Sequence, residues 1–146
     1  MNWRFLPARS TICQPSIGSA VHPGWVCVAA AHASLPFNLE TAAAPEYEAL
    51  CDAVDREFGR LDGLAHVAGI LGDLSPIEQY DVPTWCKVIH VNLSAAFILT
   101  RALLPLLRRS DDASIVFTSS TVGRVGRAYW GAYATSKFGT EGLMQV

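Results

Sequence analysis

The segment Tyr133-Ala134-Thr135-Ser136-Lys137 sets a phenol and an ammonium four residues apart. On a helix both side chains share one face and reach into one cleft. A free tyrosine has a pKa of about 10 and is a poor base at neutral pH. A lysine cation beside it stabilises the phenolate, and the phenol can then exchange a proton with a substrate hydroxyl or carbonyl. Taken alone, the step also describes an amphipathic pair on an exposed helix face. Two further residues add to it. Ser120 lies thirteen residues earlier, closing the run SIVFTSS, where a hydroxyl can hydrogen-bond a substrate oxygen as charge develops on it; alone it reads as part of a serine-rich turn. Asn92 sits in an otherwise apolar helical stretch, where an amide is costly unless paired; its other reading is a polar residue facing solvent.

These residues need elements to hold them. Pro36–Leu39 reads as the end of a short strand. Pro45 opens a helix as a first-turn residue, with Tyr47, Leu50, Cys51, Val54 and Phe58 at helical spacing and Gly59 at its end. Leu61–Ile70 reads as a buried strand running into a glycine turn. Val82–Arg109 reads as one long helix that Pro105 ends or kinks. Ser114–Thr118 is a β-branched, aromatic strand, and Trp130–Val146 opens a last helix. Strand and helix alternate three times, which predicts an α/β fold: a parallel sheet covered by helices on both faces, with ligands at the carboxyl ends of its strands. Those ends are Ala68-Gly69-Ile70 and Ser119-Ser120.

The chain has 146 residues, 51% of them hydrophobic, and a net charge of -2. This suits one domain with a real core and argues against a disordered chain or a nucleic-acid partner. The richest apolar stretch is interrupted by Asn92, Thr100, Arg101 and Pro105, so no membrane-spanning run is expected. Cys13, Cys27, Cys51 and Cys86 form no CxxC pair; two disulfides are formally possible, but the α/β character points to a cytoplasmic protein with free thiols. His22, His32, His66 and His90 have no metal-ligand spacing, so no metal site is expected.

All 13 acidic residues lie at or after Glu40, and residues 1–34 carry only Arg4 and Arg9 as charges. The chain therefore divides into an atypical head, 1–34, and a domain, 35–146. Ala31-His32-Ala33 imitates a cleavage site, so the head reads as a targeting segment, as a divergent native strand and turn, or as foreign sequence joined through a shifted frame or misplaced start.

Asn92, Ser120, Tyr133 and Lys137, in this order and with these gaps, resemble the pattern of the short-chain dehydrogenase/reductase family. The likeness runs from about Phe37 to Val146. The stretches LDGLAHVAGILGDLSP, ALLPLLRRSDDASIVFTSSTVGRVGRAYWGAYATSKF and EGLMQV are similar to a bacterial subgroup, the YciK-like oxidoreductases. The resemblance implies a partial Rossmann-type parallel sheet and hydride transfer between NAD(P) and a carbonyl or alcohol substrate. It implies Tyr133 as acid/base, with Lys137 assisting the phenol and holding the nicotinamide ribose. Ser120 orients the substrate, and Asn92 anchors a water path to Lys137. Asn38 and Leu39 fall near the adenine, Ala68, Gly69 and Ile70 pass beside the cofactor, and Val91 lies beneath the adenine side. The family commonly pairs subunits through its two long helices, which implies a homo-oligomer. Gly139 and Gly142 would permit close helix packing.

Three departures qualify this. The family opens with a strand and a TGxxxGxG turn whose N–H groups and helix N-terminus approach the pyrophosphate; none of the 11 glycines forms such a turn, and only Gly18 and Gly24 lie in the head. With it goes the residue that chooses between NAD and NADP. Val67 stands where the family's NNAG or HNAG has an amide. The family also continues beyond Val146. The expectation is an incomplete domain that holds the proton-transfer half of the site, with a hydrophobic strand edge at Leu61–Ile70 that only Trp25–Ala31 is available to cover. A loosely folded, poorly soluble chain follows. The rival reading is a non-catalytic remnant that binds no cofactor and at most self-associates.

Overall fold

The computed structural model describes residues 25–30 and 33–146. The expectations placed on the rest of the head, on Cys13, His22, His32, Gly18 and Gly24, and on the side chain of Cys27 lie outside the described residues.

Strand β1 (Trp25–Ala30) pairs antiparallel with β2 (Ala33–Asn38), Trp25 opposite Asn38 and Ala30 opposite Ala33. The expectation that this apolar run covers the edge of the Leu61–Ile70 strand is thereby corrected. Only two residues separate β1 from β2, a connection that joins antiparallel neighbours and is far too short for a crossover. Helix α1 (Ala44–Phe58) follows, with Pro45 in its first turn. Ala43 at the N-cap has no side-chain oxygen, and the Glu46 carboxylate instead accepts from the Ala43 N–H at 3.1 Å. Gly59 ends the helix at φ 70, a left-handed turn that glycine adopts without a Cβ penalty. Tyr47, Leu50 and Val54 are buried as their spacing predicts, whereas Phe58 at the end of the stripe is exposed.

Strands β3 (Gly63–His66) and β4 (Ser114–Phe117) pair in parallel, Leu64 opposite Ile115. The strand is shorter than Leu61–Ile70 because β4 offers four partners, and the Leu61 N–H is already committed to Leu106 O at 3.2 Å. Among the described residues the strands thus form two two-stranded sheets rather than one. They are joined by side chains instead of a ladder: Leu39, just past β2, and Leu64 of β3 bury together with Tyr47 and Leu50 of α1 and Leu99 and Leu103 of the long helix. The helices cover the Leu64 face of β3–β4. On the opposite face Ala65 is exposed and Val116 is 58% exposed, with Val67 just beyond β3 at 73%.

The long helix begins at Asp81, whose carboxylate accepts from Thr84 N at 2.7 Å. It comprises α2 (Val82–Ile89), a π turn over His90–Ser94 and α3 (Ala95–Leu107). Pro105 neither ends nor interrupts it, because the helix continues to Leu107. Both Pro105 and Arg101, whose carbonyl loses its partner, face solvent. By length and composition Val82–Leu107 is apolar and long enough to cross a membrane, which corrects the expectation from its polar interruptions. Its Leu99, Leu103 and Leu106 are buried in the core.

Candidate active site

Helix α4 (Gly131–Gln145) carries the YxxxK step and starts directly after Trp130. Its buried residues are Ala132, Ala134, Ser136, Lys137 and Thr140. Three of these are polar, and each has a hydrogen-bond partner. Lys137 Nζ donates to Thr118 O at 2.7 Å, at the end of β4, and lies 5.7 Å from the centre of the Tyr133 ring. Lys137 is 3% exposed, and burial pushes its pKa below the usual lysine value. Tyr133 is half-buried and reaches the same region.

Asn92 is the centre of the supporting network. It sits in the π turn, where the i+5 bond from Ala95 N to His90 O inserts an extra residue and turns its side chain inward. The amide is 3% exposed and fully engaged. Its Oδ1 accepts from Ile70 N at 2.8 Å, and its Nδ2 donates to Ile70 O at 2.9 Å and to Ser136 Oγ at 3.0 Å. The carboxamide thus mimics a backbone strand, tying the chain after β3 to the long helix and to α4. Ser136 Oγ in turn donates to Tyr133 O at 2.7 Å. Thr140 Oγ1 donates to Ser136 O at 2.9 Å. A Cβ added at Gly69 would come within 3.4 Å of Asn92 Oδ1 and 3.6 Å of Lys137 Nζ. Gly69 is therefore flanked by both groups.

Ser120 reaches α4 through its neighbour. The turn Thr121–Gly123 closes with Gly123 N donating to Ser120 O at 2.9 Å. A Cβ at Gly123 would lie 3.0 Å from both Cβ and O of Lys137 and 2.8 Å from Ser119 Oγ. Only glycine lets this turn rest on the backbone of α4.

Asn92, Gly69, Ile70, Lys137 and Tyr133 are thus brought together, with Ser120 on the adjoining turn. A narrow cleft of about 20 Å³ is lined by Leu39, Ala68, Asn92, Thr118 and Lys137 among others. Asn38 is spent on a local turn, its Oδ1 accepting from Glu40 N at 3.0 Å. Val91 is enclosed in the protein interior. The sequence reading did not single out Ser136, Thr118 or Thr140. For Ser136 and Thr140 only their helical spacing with Ala132 and their nearness to Tyr133 hinted at a role. His66 was set aside as a non-ligand, and here its Nε2 meets Thr100 Oγ1 at 2.8 Å. Thr100 donates its own proton to Ala96 O, so His66 Nε2 carries the proton and donates to Thr100 Oγ1. Burial lowers its pKa to about 4.

Comparison with known proteins identifies the family of the chain. A family model described as short chain dehydrogenase matches residues 11–146. The uncharacterized oxidoreductase YciK of Escherichia coli (strain K12) is 51% identical over 109 residues, spanning 75% of this chain and 43% of its own. A Pseudomonas syringae structure of the short chain dehydrogenase type is 60% identical with a TM-score of 0.75, over 76% of this chain and 45% of the other. A Shigella flexneri 2a str. 301 structure solved with NADP is 50% identical with a TM-score of 0.72, over 75% and 46%. The chain spans less than half the length of these proteins. With its fold, its helix pairing of Tyr133 and Lys137 and this match in hand, the chain belongs to the short chain dehydrogenase family.

Proposed function

We propose that this chain carries the proton-transfer half of an NAD(P)-dependent oxidoreductase acting on a small carbonyl or alcohol. The observation that carries the reading is Lys137: a residue 3% exposed whose ammonium lies 5.7 Å from the centre of the Tyr133 ring and is bonded only to Thr118 O among the described residues. Its two remaining N–H donors have the number and type of groups that a ribose diol accepts. Gly69, with no side chain to intervene beside Lys137 and Asn92, fits the same group. When bound, NAD(P) supplies or takes up the hydride. Tyr133 Oη gives a proton to the substrate oxygen in reduction and removes it in oxidation. Lys137 stabilises the anionic phenol electrostatically, Ser120 Oγ donates to the substrate oxygen as charge develops, and Asn92 holds Ile70 and Ser136 in place.

On the adenine and phosphate side the residues do not fit as well. Asn38 has its acceptor occupied, Val91 is enclosed, and no TGxxxGxG turn exists in the sequence. This favours a second reading: that the chain by itself is a non-catalytic form that at most associates through its helices. Free Cys51 and Cys86 suit a cytoplasmic setting. Titration with NADPH, followed by nicotinamide fluorescence, separates the two. Saturable binding that is lost in Lys137→Met, with turnover falling about 10²–10⁴-fold in Tyr133→Phe, supports the oxidoreductase; no binding at millimolar NADPH leaves the non-catalytic form.

A further inference from the structure

Between Ser120 and Tyr133 the chain carries two arginines and no acidic residue. Arg124 is neutralised, its Nε lying 3.4 Å from Glu141 of α4. Arg127 has no carboxylate within ion-pair distance among the described residues. Its guanidinium lies 6.0 Å over the Trp130 ring, and the Trp130 ring stands edge-on to Tyr133 with centroids 6.0 Å apart. An uncompensated cation thus occupies the same aromatic row as the phenol, separated from it by one indole. The intervening Tyr129 is held at φ 71, a left-handed conformation that is costly for a bulky residue, yet its side chain is 59% exposed. Burial of that side chain does not repay the strain. The strained turn does aim Tyr129 O at Ser75 N, 3.1 Å away, fastening the loop after Ile70 to the start of α4. Trp130 therefore stands beside Tyr133 and carries the Arg127 guanidinium over its ring, on a backbone fastened through Tyr129 O.

We infer that Arg127 recognises a carboxylate on the substrate, so that the substrate class is an oxo or hydroxy acid whose apolar spacer lies along Trp130. The inference rests on Tyr133 being the reacting phenol. A guanidinium offers two parallel donors to a carboxylate, and an aromatic face beneath it accommodates the apolar carbons.

The test needs neither cofactor nor turnover, so its outcome is separate from that of the NADPH titration. The chain is titrated with 5-oxohexanoate and with its methyl ester, and binding is followed by the indole NMR signal of Trp130 and by calorimetry. Expected is at least a tenfold preference for the acid, abolished in Arg127→Met, partly kept in Arg127→Lys and unchanged in Arg108→Met. Arg127 is exposed and makes no buried contact, and far-UV dichroism checks that the variants stay folded. Equal affinity for acid and ester, a preference that survives in Arg127→Met, or no binding of the acid at millimolar concentration would each overturn the inference.

Discussion

At neutral pH the ammonium of Lys137 is held against its desolvation by a single carbonyl, Thr118 O at 2.7 Å. A buried lysine whose folded pKa is lowered releases its proton more readily when folded than when unfolded. Its cost to stability is therefore present at neutral pH and eases as pH rises towards the free-lysine value. Lys137→Met should leave the thermal midpoint unchanged or raise it while removing NADPH binding; a lower midpoint would show that the charge stabilises the fold. His66 acts on the acid side. Its pKa is lowered from 6.5 to about 4 by burial, so the folded state resists protonation. The stability tied to the neutral ring is complete above about pH 6.5 and is lost as pH falls towards 4. Thermal melts of the wild type should lose stability across that window more steeply than those of His66→Gln. Parallel curves for the two proteins would remove His66 as the cause.

The elements owe their mutual placement to a few close approaches. The Ser120 turn rests on α4 because Gly123 has no Cβ, and an added methyl would meet the Lys137 backbone carbonyl at 3.0 Å. A carbonyl in a helix cannot move aside as a side-chain tip can. Gly123→Ala should therefore cost about 1–3 kcal/mol in denaturant unfolding and weaken the site along with the fold. Gly139 illustrates the contrast: its contact is the tip of the Leu93 side chain, which can swing away, and Gly142 has nothing within 4 Å. The π turn at His90–Ser94 is the other device of this scale, since it carries Asn92, which bonds Ile70, 22 residues earlier. Helical periodicity in the sequence foretold a long helix with an amide inside it. It carried no sign of the inserted residue, because an i+5 bond leaves the apolar pattern nearly intact.

For the whole molecule the dominant feature is a parallel pair, β3–β4, covered on one face. Val67 and Val116 expose apolar surface on the other, and among the described residues the outer edges of β3 and β4 have no strand partner and are open to intermolecular pairing. The chain should therefore self-associate as its concentration rises. Replacing Val67 and Val116 with threonine should raise the soluble fraction measured by light scattering, without changing the far-UV spectrum. Unchanged association in this double variant would assign the contact to the helices instead.

Local chemistry was open to reading from the residues alone. The YxxxK step, the glycine stop of α1 and the β-branched run into Ser120 are short-range features, set by periodicity and capping. Which side chains meet across the fold was decided by tertiary packing. Nothing in the spacing revealed that Asn92 bonds the backbone of Ile70, that Ser136 completes that network, that β1 folds back on β2, or that Lys137 is buried. Each depends on contacts between residues far apart in the chain, and an amide, a hydroxyl or an ammonium looks the same in sequence whether its partner is water or a carbonyl brought to it by folding.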